Sequence, residues 1–377
     1  PAVPTDGGAA SGPDLPAQDL PAEDLALLLG EPPEELVPAA PEHARLVRDQ
    51  RTAEEPLVLT SEQEAVASLA PGHGAVLVLG APGTGRSTVA VEVAARRIEQ
   101  GLDPEALLVL APTRDAAARL RDALTARLAA TGHGTRAVTP VRTWAAYAFD
   151  LIRRARVTGP LRHLARPPRL LSGAEQDTVI AELLDTYAEG LAVPPAWPEE
   201  IAEAVDTRGF RREVRELVDR MSEFGVEPGH LQELGRRHGR PEWASAAELV
   251  QDYRDRLDLG MAEAFDPAGL ISAAVRLLTE RFPEDPERDA AAVAFADAER
   301  ARLALVVVDD LQEATPAVHD LLRRLARGTD TLLTASPDTA VEGFRGARPD
   351  LVSRYPAVLD PDPVPGAGPG PARPGTG

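Results

Sequence analysis

A chain of 377 residues is long enough for two domains and a sizeable core, and this one is acidic, with a net charge of −20. All 40 of its basic residues are arginine, and the bulk acidity excludes an indiscriminate nucleic-acid binder, which needs clustered cations to neutralise phosphate, while leaving room for a local basic track. The absence of cysteine excludes disulfides, thiolate chemistry and cysteine-based zinc or iron–sulfur sites, and the seven histidines form no His-Glu-x-x-His pair.

Residues 1–54 are rich in Pro, Ala, Asp and Glu, a composition that reads as disordered or loosely helical. They begin on Pro1 and not on methionine, as though the true start were missing or removed, and they lack the basic-then-apolar order of a secretory signal. No run of about 18 apolar residues occurs, so neither a transmembrane helix nor a membrane partner is expected, and a cytoplasmic location is the default.

From Leu57 the texture changes, and 55–150 reads as folded. Leu59-Thr60-Ser61-Glu62-Gln63 carries a helix-start pattern. Ala75-Val76-Leu77-Val78-Leu79 is the continuous apolar run of a buried parallel strand. Gly80-Ala81-Pro82-Gly83-Thr84-Gly85-Arg86-Ser87-Thr88 follows directly, and 88–99 reads as a helix. Strand, glycine loop and helix in that order is the context in which the spacing G-x-x-x-x-G-K-[ST] binds phosphate. Backbone N–H groups of Gly83 to Ser87 would cradle the phosphates, and Ser87 or Thr88 would offer a hydroxyl to Mg²⁺. Arg86 stands where the lysine belongs. The alternative, a glycine-rich turn that binds nothing, is opposed by the strand before it and the helix after it. A second strand is expected over 106–111 and a helix over 115–130.

From 151 to 301 strand signals vanish, and 175–187, 211–224, 246–257 and 270–281 carry apolar residues at helical spacing. Arg153, Arg154, Arg156, Arg162, Arg166 and Arg169 form the richest basic cluster, readable as a solvated face or as a track for a DNA backbone. A third strand, 303–308, ends on Asp309-Asp310, and a fourth is expected over 331–334. An apolar strand ending in two acids is the Walker B arrangement, in which the first acid holds Mg²⁺ through water and the second polarises the attacking water. Alternating strands and helices predict a parallel sheet covered on both faces, interrupted by a helical insertion. Residues 356–377 turn to Pro/Gly/Ala low complexity and read as a disordered tail.

The segment Ala335-Ser336-Pro337-Asp338-Thr339-Ala340-Val341-Glu342-Gly343-Phe344-Arg345-Gly346-Ala347 resembles the third motif of superfamily 1 DNA helicases of the UvrD/Rep/PcrA type, G-D-x-x-Q-S-I-Y-x-F/W-R-G-A. Leu59 to Gln63 resembles that family's Q motif, and Ala111-Pro112-Thr113-Arg114-Asp115-Ala116-Ala117 its T-F-T-N-K-A-A motif. Thr143-Trp144-Ala145-Ala146-Tyr147-Ala148 resembles T-x-H-S-F-A, Asp309 to Glu313 resembles D-E-x-Q-D, and Phe265 to Leu270 falls where the family has a D-F-D-D-L segment. The likeness runs from about Leu57 to Val352, and the high-GC texture with the Phe344-to-Leu351 ending looks most like actinobacterial AdnA/AdnB-type helicase–nuclease subunits.

The resemblance implies an α/β fold: a RecA-like P-loop NTPase domain over 55–150 and 302–355, with an all-helical 1B-type insertion over 151–301. It implies ATP and Mg²⁺ as cofactors, and single-stranded or duplex DNA and a second helicase–nuclease subunit as partners. Gln63, Gly80, Gly83, Thr84, Gly85, Arg86, Ser87, Thr88, Gln312, Thr339 and Arg345 would contact the nucleotide, with Ser87 and Asp309 on the metal. Asp310 and Arg86 would carry catalysis, and Thr113, Arg114, Thr143 and Phe344 would contact DNA. The departures from the motifs matter as much. Arg86 replaces lysine, Asp310 replaces the catalytic glutamate one methylene short, and Thr339 replaces the glutamine on the γ-phosphate. Ala145 and Ala146 replace a His-Ser pair, and Glu342 a tyrosine. Two functions follow: a 3′–5′ helicase subunit of DNA repair or recombination with weakened ATP hydrolysis, or a non-catalytic domain that binds DNA or acts as a scaffold beside an active motor. No second lobe is legible after Val352, so the chain alone is not expected to translocate.

Overall fold

A computed structural model describes residues 58–132 and 140–359, without the side chains of Phe344 and Arg345. The segment 1–54 and most of the tail 356–377 lie outside the described residues. The first helix, α1 (Ser61–Ala67), opens with a reciprocal cap. Thr60 accepts from the Gln63 N–H, and the Gln63 side chain accepts from the Thr60 N–H. Strand β1 (Ala75–Leu79) leads into helix α2 (Arg86–Glu99), and β2 (Leu107–Ala111) into α3 (Arg114–Ala130). A strand of three residues, β3 (Val141–Thr143), runs straight into α4 (Trp144–Thr158). It was not expected from the sequence, because three residues are too few for an apolar period to show.

The insertion begins with β4 (Arg169–Leu170) and contains α5 (Gly173–Ala188), α6 (Glu199–Ala202), α7 (Arg208–Phe224), α8 (Pro228–His238) and α9 (Pro241–Gly260). It returns through β5 (Ala264–Phe265), which pairs in parallel with β4, so the insertion is helical apart from this one short ladder. Two further helices, α10 (Leu270–Thr279) and α11 (Pro286–Arg302), precede β6 (Leu305–Val308), α12 (Pro316–Leu325) and β7 (Asp330–Ala335).

The main sheet has five parallel strands in the order β1-β7-β6-β2-β3. Its apolar runs split by parity, because successive side chains of a strand point to opposite faces. Leu305 and Val307 join Leu107, Val109 and Leu332 in a core with α2 and α3. Val306 and Val308 join Leu108, Leu110 and Leu333 in a core with α4, α10, α11 and α12. The chain is therefore α/β with both sheet faces covered, as expected. The insertion has a third core of its own, running from Leu171 to Ala264.

The positions 151 and 301 fall inside α4 and α11, helices that pack in the core of the sheet and not in that of the insertion. The ladder Arg169–Leu170 with Ala264–Phe265 marks where the insertion's own packing starts and stops. At the other end the low-complexity reading from Pro356 runs too early. Leu359 is 2% exposed in the sheet's core, and its carbonyl accepts from the Gly328 N–H at 3.1 Å.

Candidate functional site

Parallel pairing brings the carboxyl ends of all five strands to one edge, and in an open α/β sheet ligands bind there. Gly80 follows β1, Ser336 follows β7, Asp309 follows β6 and Pro112 follows β2. Thr143 ends β3 directly beside Ala111. The residues singled out from the sequence are thus collected by topology before any side chain is considered.

The glycine loop is built by two left-handed residues, Gly83 (φ 79°) and Gly85 (φ 80°), a conformation that residues with a Cβ rarely adopt. Gly80 is needed for space: a Cβ there would lie 2.5 Å from Thr84 Oγ1. Gly85 caps α2 without a side chain, so the N–H groups of Arg86, Ser87 and Thr88 stand in the first turn with no intrahelical partner. Fourteen residues of helix add a partial positive charge at that end.

Ser87 donates its hydroxyl to Asp309 Oδ2 at 2.8 Å. Thr334, fully buried on β7, donates to Asp309 Oδ1 at 2.6 Å. Asp309 itself is 3% exposed. Burial pushes its carboxyl above the usual aspartate range, the two hydroxyls pull it back, and the neighbouring charge of Asp310 pushes it up again. A hydroxyl and a carboxylate in contact form an all-oxygen donor pair of the kind a hard divalent cation takes.

Arg86 lies within the loop itself. Its guanidinium donates to the carbonyl of Gly80 and, at 2.8 Å, to that of Ala81, and it pairs with Asp310 Oδ1 at 3.3 Å. The side chain is only 12% exposed. Its Nε is buried without a hydrogen-bond partner. Asp310 has φ 53° and ψ 50°, and it is the one non-glycine residue with positive φ among the described residues. That conformation is strained for a residue with a Cβ, and such strain concentrates at functional sites. Gln312, 3% exposed, donates to the same Asp310 oxygen at 3.0 Å and accepts from the Ser336 N–H at 2.9 Å. The β6 and β7 ends are therefore tied to the glycine loop by a chain that runs Ser336, Gln312, Asp310, Arg86, Gly80.

Other candidates are bonded within the protein or exposed. The Gln63 amide is committed twice within the protein: Oε1 accepts from Thr60, and Nε2 donates to the Thr84 carbonyl at 2.9 Å. Thr339 closes its own turn, donating to the Ser336 carbonyl at 3.0 Å. Thr113 and Thr143 are N-caps, each accepting an N–H at 3.1 Å from Ala116 and Ala146 respectively, and Arg114 is exposed. The side chains of Phe344 and Arg345 lie outside the described residues; their backbone forms a 3-10 turn, Glu342–Arg345. Most of the arginine cluster is engaged internally: Arg154 with Glu299, Arg156 with the carbonyls of Leu164 and Ala165, Arg162 with that of Val157, and Arg169 with Glu175. Arg166 sits 3.6 Å from Glu263, and Arg153 is exposed.

Two residues at the site were given no role from the sequence, although Glu313 closes the segment that resembles D-E-x-Q-D. Thr334 holds Asp309, and its only signal was a hydroxyl inside an apolar run. Glu313 accepts from the N–H groups of Val341 and Glu342, fixing the start of the turn Glu342–Arg345. A family model described as UvrD/REP helicase N-terminal domain matches residues 59–357. No curated protein matches the chain.

Proposed function

The chain belongs to the UvrD/REP helicase family, and from that premise we propose that it is a helicase subunit that binds ATP but hydrolyses it weakly. The family uses ATP, Mg²⁺ and DNA, and the residues at the sheet edge fit the first two. First-turn N–H groups of α2 can take phosphate oxygens, and the Ser87–Asp309 pair can take the cation. Bound Mg²⁺–ATP would supply the reactive phosphoryl group and part of the charge neutralisation. Among the described residues no cluster of three or more His, Cys, Asp or Glu forms a metal cage, which suits an ion held mainly by phosphate and water.

The observation that carries the weak-hydrolysis reading is the guanidinium of Arg86, held by two loop carbonyls and by Asp310. Arg86 and Asp310 are the residues proposed to act in catalysis, and here each occupies the other. Releasing the guanidinium from a charge-assisted hydrogen bond costs up to about 3 kcal/mol. Spent on the reaction barrier, that is roughly a hundredfold in rate. Thr339, shorter than glutamine and bonded within its own turn, gives no compensating contact.

At the DNA end, Thr113, Arg114 and Thr143 on the adjacent ends of β2 and β3 are proposed as contacts, with Phe344 stacking on a base. In this reading the protein works in the cytoplasm in DNA repair or recombination, on a 3′–5′ track, paired with a second helicase–nuclease subunit of the AdnA/AdnB type. The arginine-only composition and the Phe344-to-Leu351 sequence support that finer assignment.

A second reading, a domain that binds DNA or acts as a scaffold without nucleotide, draws on the Gln63 amide, which is engaged at both ends. Titration with a fluorescent ATP analogue separates the two. The first reading expects saturable, Mg²⁺-dependent binding that Asp309→Asn weakens at least tenfold. Absence of binding up to millimolar analogue leaves only the second.

A further inference from the structure

We propose that the groove between α5 and α9 of the insertion is a docking site for a basic amphipathic helix of another protein. The groove encloses about 880 Å³. Its lining follows α5 from Ala174 to Tyr187, about 20 Å at 1.5 Å per residue, which matches a docked helix of three to four turns. The floor is apolar, with Val179 and Leu183 at 4-residue spacing on one stripe of α5. The wall is apolar as well: Leu259, on α9, is 90% exposed. Leu191 and Val193, on either side of the lining residue Ala192, are 74% and 88% exposed. Large apolar side chains grouped beside an open groove mark an interaction surface.

Charge selects the occupant. Glu175, Glu182, Asp252 and Asp255 line the groove against the single cation Arg256. Their present partners leave the acids on the surface. Glu175 accepts from Arg169 at 2.8 Å and Glu182 from Arg256 at 3.0 Å, with 44% and 55% of the two carboxylate side chains exposed. Asp252 accepts from the Tyr187 hydroxyl and Asp255 from Gln251. Across residues 171–265 the sequence carries 21 acids against 10 arginines. A phosphate backbone or an anionic lipid surface would be repelled here, and a second copy of the chain would set acid against acid. A helix with leucine-type residues on one face and Arg or Lys along its flanks satisfies both the floor and the rim. This inference is independent of the nucleotide site, which lies on other elements.

The test uses the full chain and two labelled 18-residue peptides of identical Leu, Ala and Arg content, one with its leucines on a single helical face, the other with them spread around. Fluorescence anisotropy is expected to show the amphipathic peptide binding at least ten times more tightly than its rearranged partner. Leu259→Asp and Glu182→Arg, both at exposed positions that folding does not depend on, should each weaken it tenfold, with unchanged melting curves. The proposal is overturned by equal binding of the two peptides, by no binding, or by variants without effect. It is equally overturned if an 18-base-pair duplex displaces the peptide, or if sedimentation reveals a dimer that Leu259→Asp dissolves.

Discussion

Arg86 is bound into the loop it belongs to. Lysine would end in a compact ammonium; the longer planar fork of arginine reaches back to the Gly80 and Ala81 carbonyls and across to Asp310. The glycines around it do separate work, and that difference can be measured. A Cβ at Gly83 meets nothing within 4 Å, so Gly83→Ala should cost only the left-handed penalty, about 1 kcal/mol. At Gly85 the same Cβ would lie 2.6 Å from Gln63 Nε2, so Gly85→Ala should also displace Gln63 from the Thr84 carbonyl, about 1 kcal/mol more. Thermal unfolding checks this in two backgrounds. With Gln63→Ala in place the two alanine variants should become equal. A difference that persists would mean that Gln63 is not what Gly85 makes room for.

Among the elements, the segment Phe265 to Leu270 joins the insertion to α10 and holds a buried carboxylate. Asp266 caps the turn by accepting from the Ala268 N–H at 3.1 Å and receives Gln176 at 3.3 Å. Burial, with the charge of Asp219 adding to it, pushes its pKa up to about 6 from 3.8. A carboxyl whose folded pKa is raised favours the folded state when protonated, so its contribution grows as pH falls from about 6 towards 3.8 and is lost as pH rises through 6. His319 works in the opposite sense. Burial lowers its pKa from 6.5 to about 4, so folding loses stability as pH falls from 6.5 towards 4. Asp266→Asn keeps the cap and removes the charge. It should raise the melting temperature at pH 8, by an amount equivalent to about 3 kcal/mol at most, and leave it little changed at pH 4. It should also steepen the loss between pH 6.5 and 4, where His319 is no longer offset. A variant no more stable than the parent at pH 8 would contradict the burial of this charge.

The same elements show what could be read in advance. The runs 106–111 and 303–308 declared buried parallel strands because both faces of the sheet are covered, which leaves no polar face to break the run, whereas 75–79 forms the edge strand β1, only half-buried and with Leu79 exposed. Val141–Thr143 gave no such signal, since most of its environment is supplied by β2 beside it and α4 after it. That α4 and α11 pack in the core of the sheet was not legible, for a related reason. An apolar stripe on α4 or α10 shows that a helix buries one face, and says nothing about which core receives it. At the site the left-handed glycines were legible because backbone geometry demands that residue type. That Gln63 and Thr339 would be tied to nearby backbone was not, because an amide or hydroxyl serves a cap as well as a ligand.

For the whole molecule, one apolar sheet with two covered faces holds a loop, a metal-type acid and two strand-end threonines along one edge, while the insertion keeps a core of its own. The edge retains everything that depends on backbone: left-handed glycines, first-turn N–H groups and the Ser87–Asp309–Thr334 chain. The departures from the family motifs, Arg86, Asp310 and Thr339, are in the proposed function those that would handle the γ-phosphate and its water. In the proposed function, the mutual occupation of Arg86 and Asp310 would restrain turnover without dismantling the site. Single-stranded-DNA-stimulated ATP turnover, measured for the parent chain and for Arg86→Lys with Asp310→Glu, tests it most directly. Slow turnover is expected in the parent and a gain of roughly a hundredfold in the double variant, the rate equivalent of about 3 kcal/mol. Rapid DNA-stimulated turnover by the parent chain, unchanged in the double variant, would contradict it.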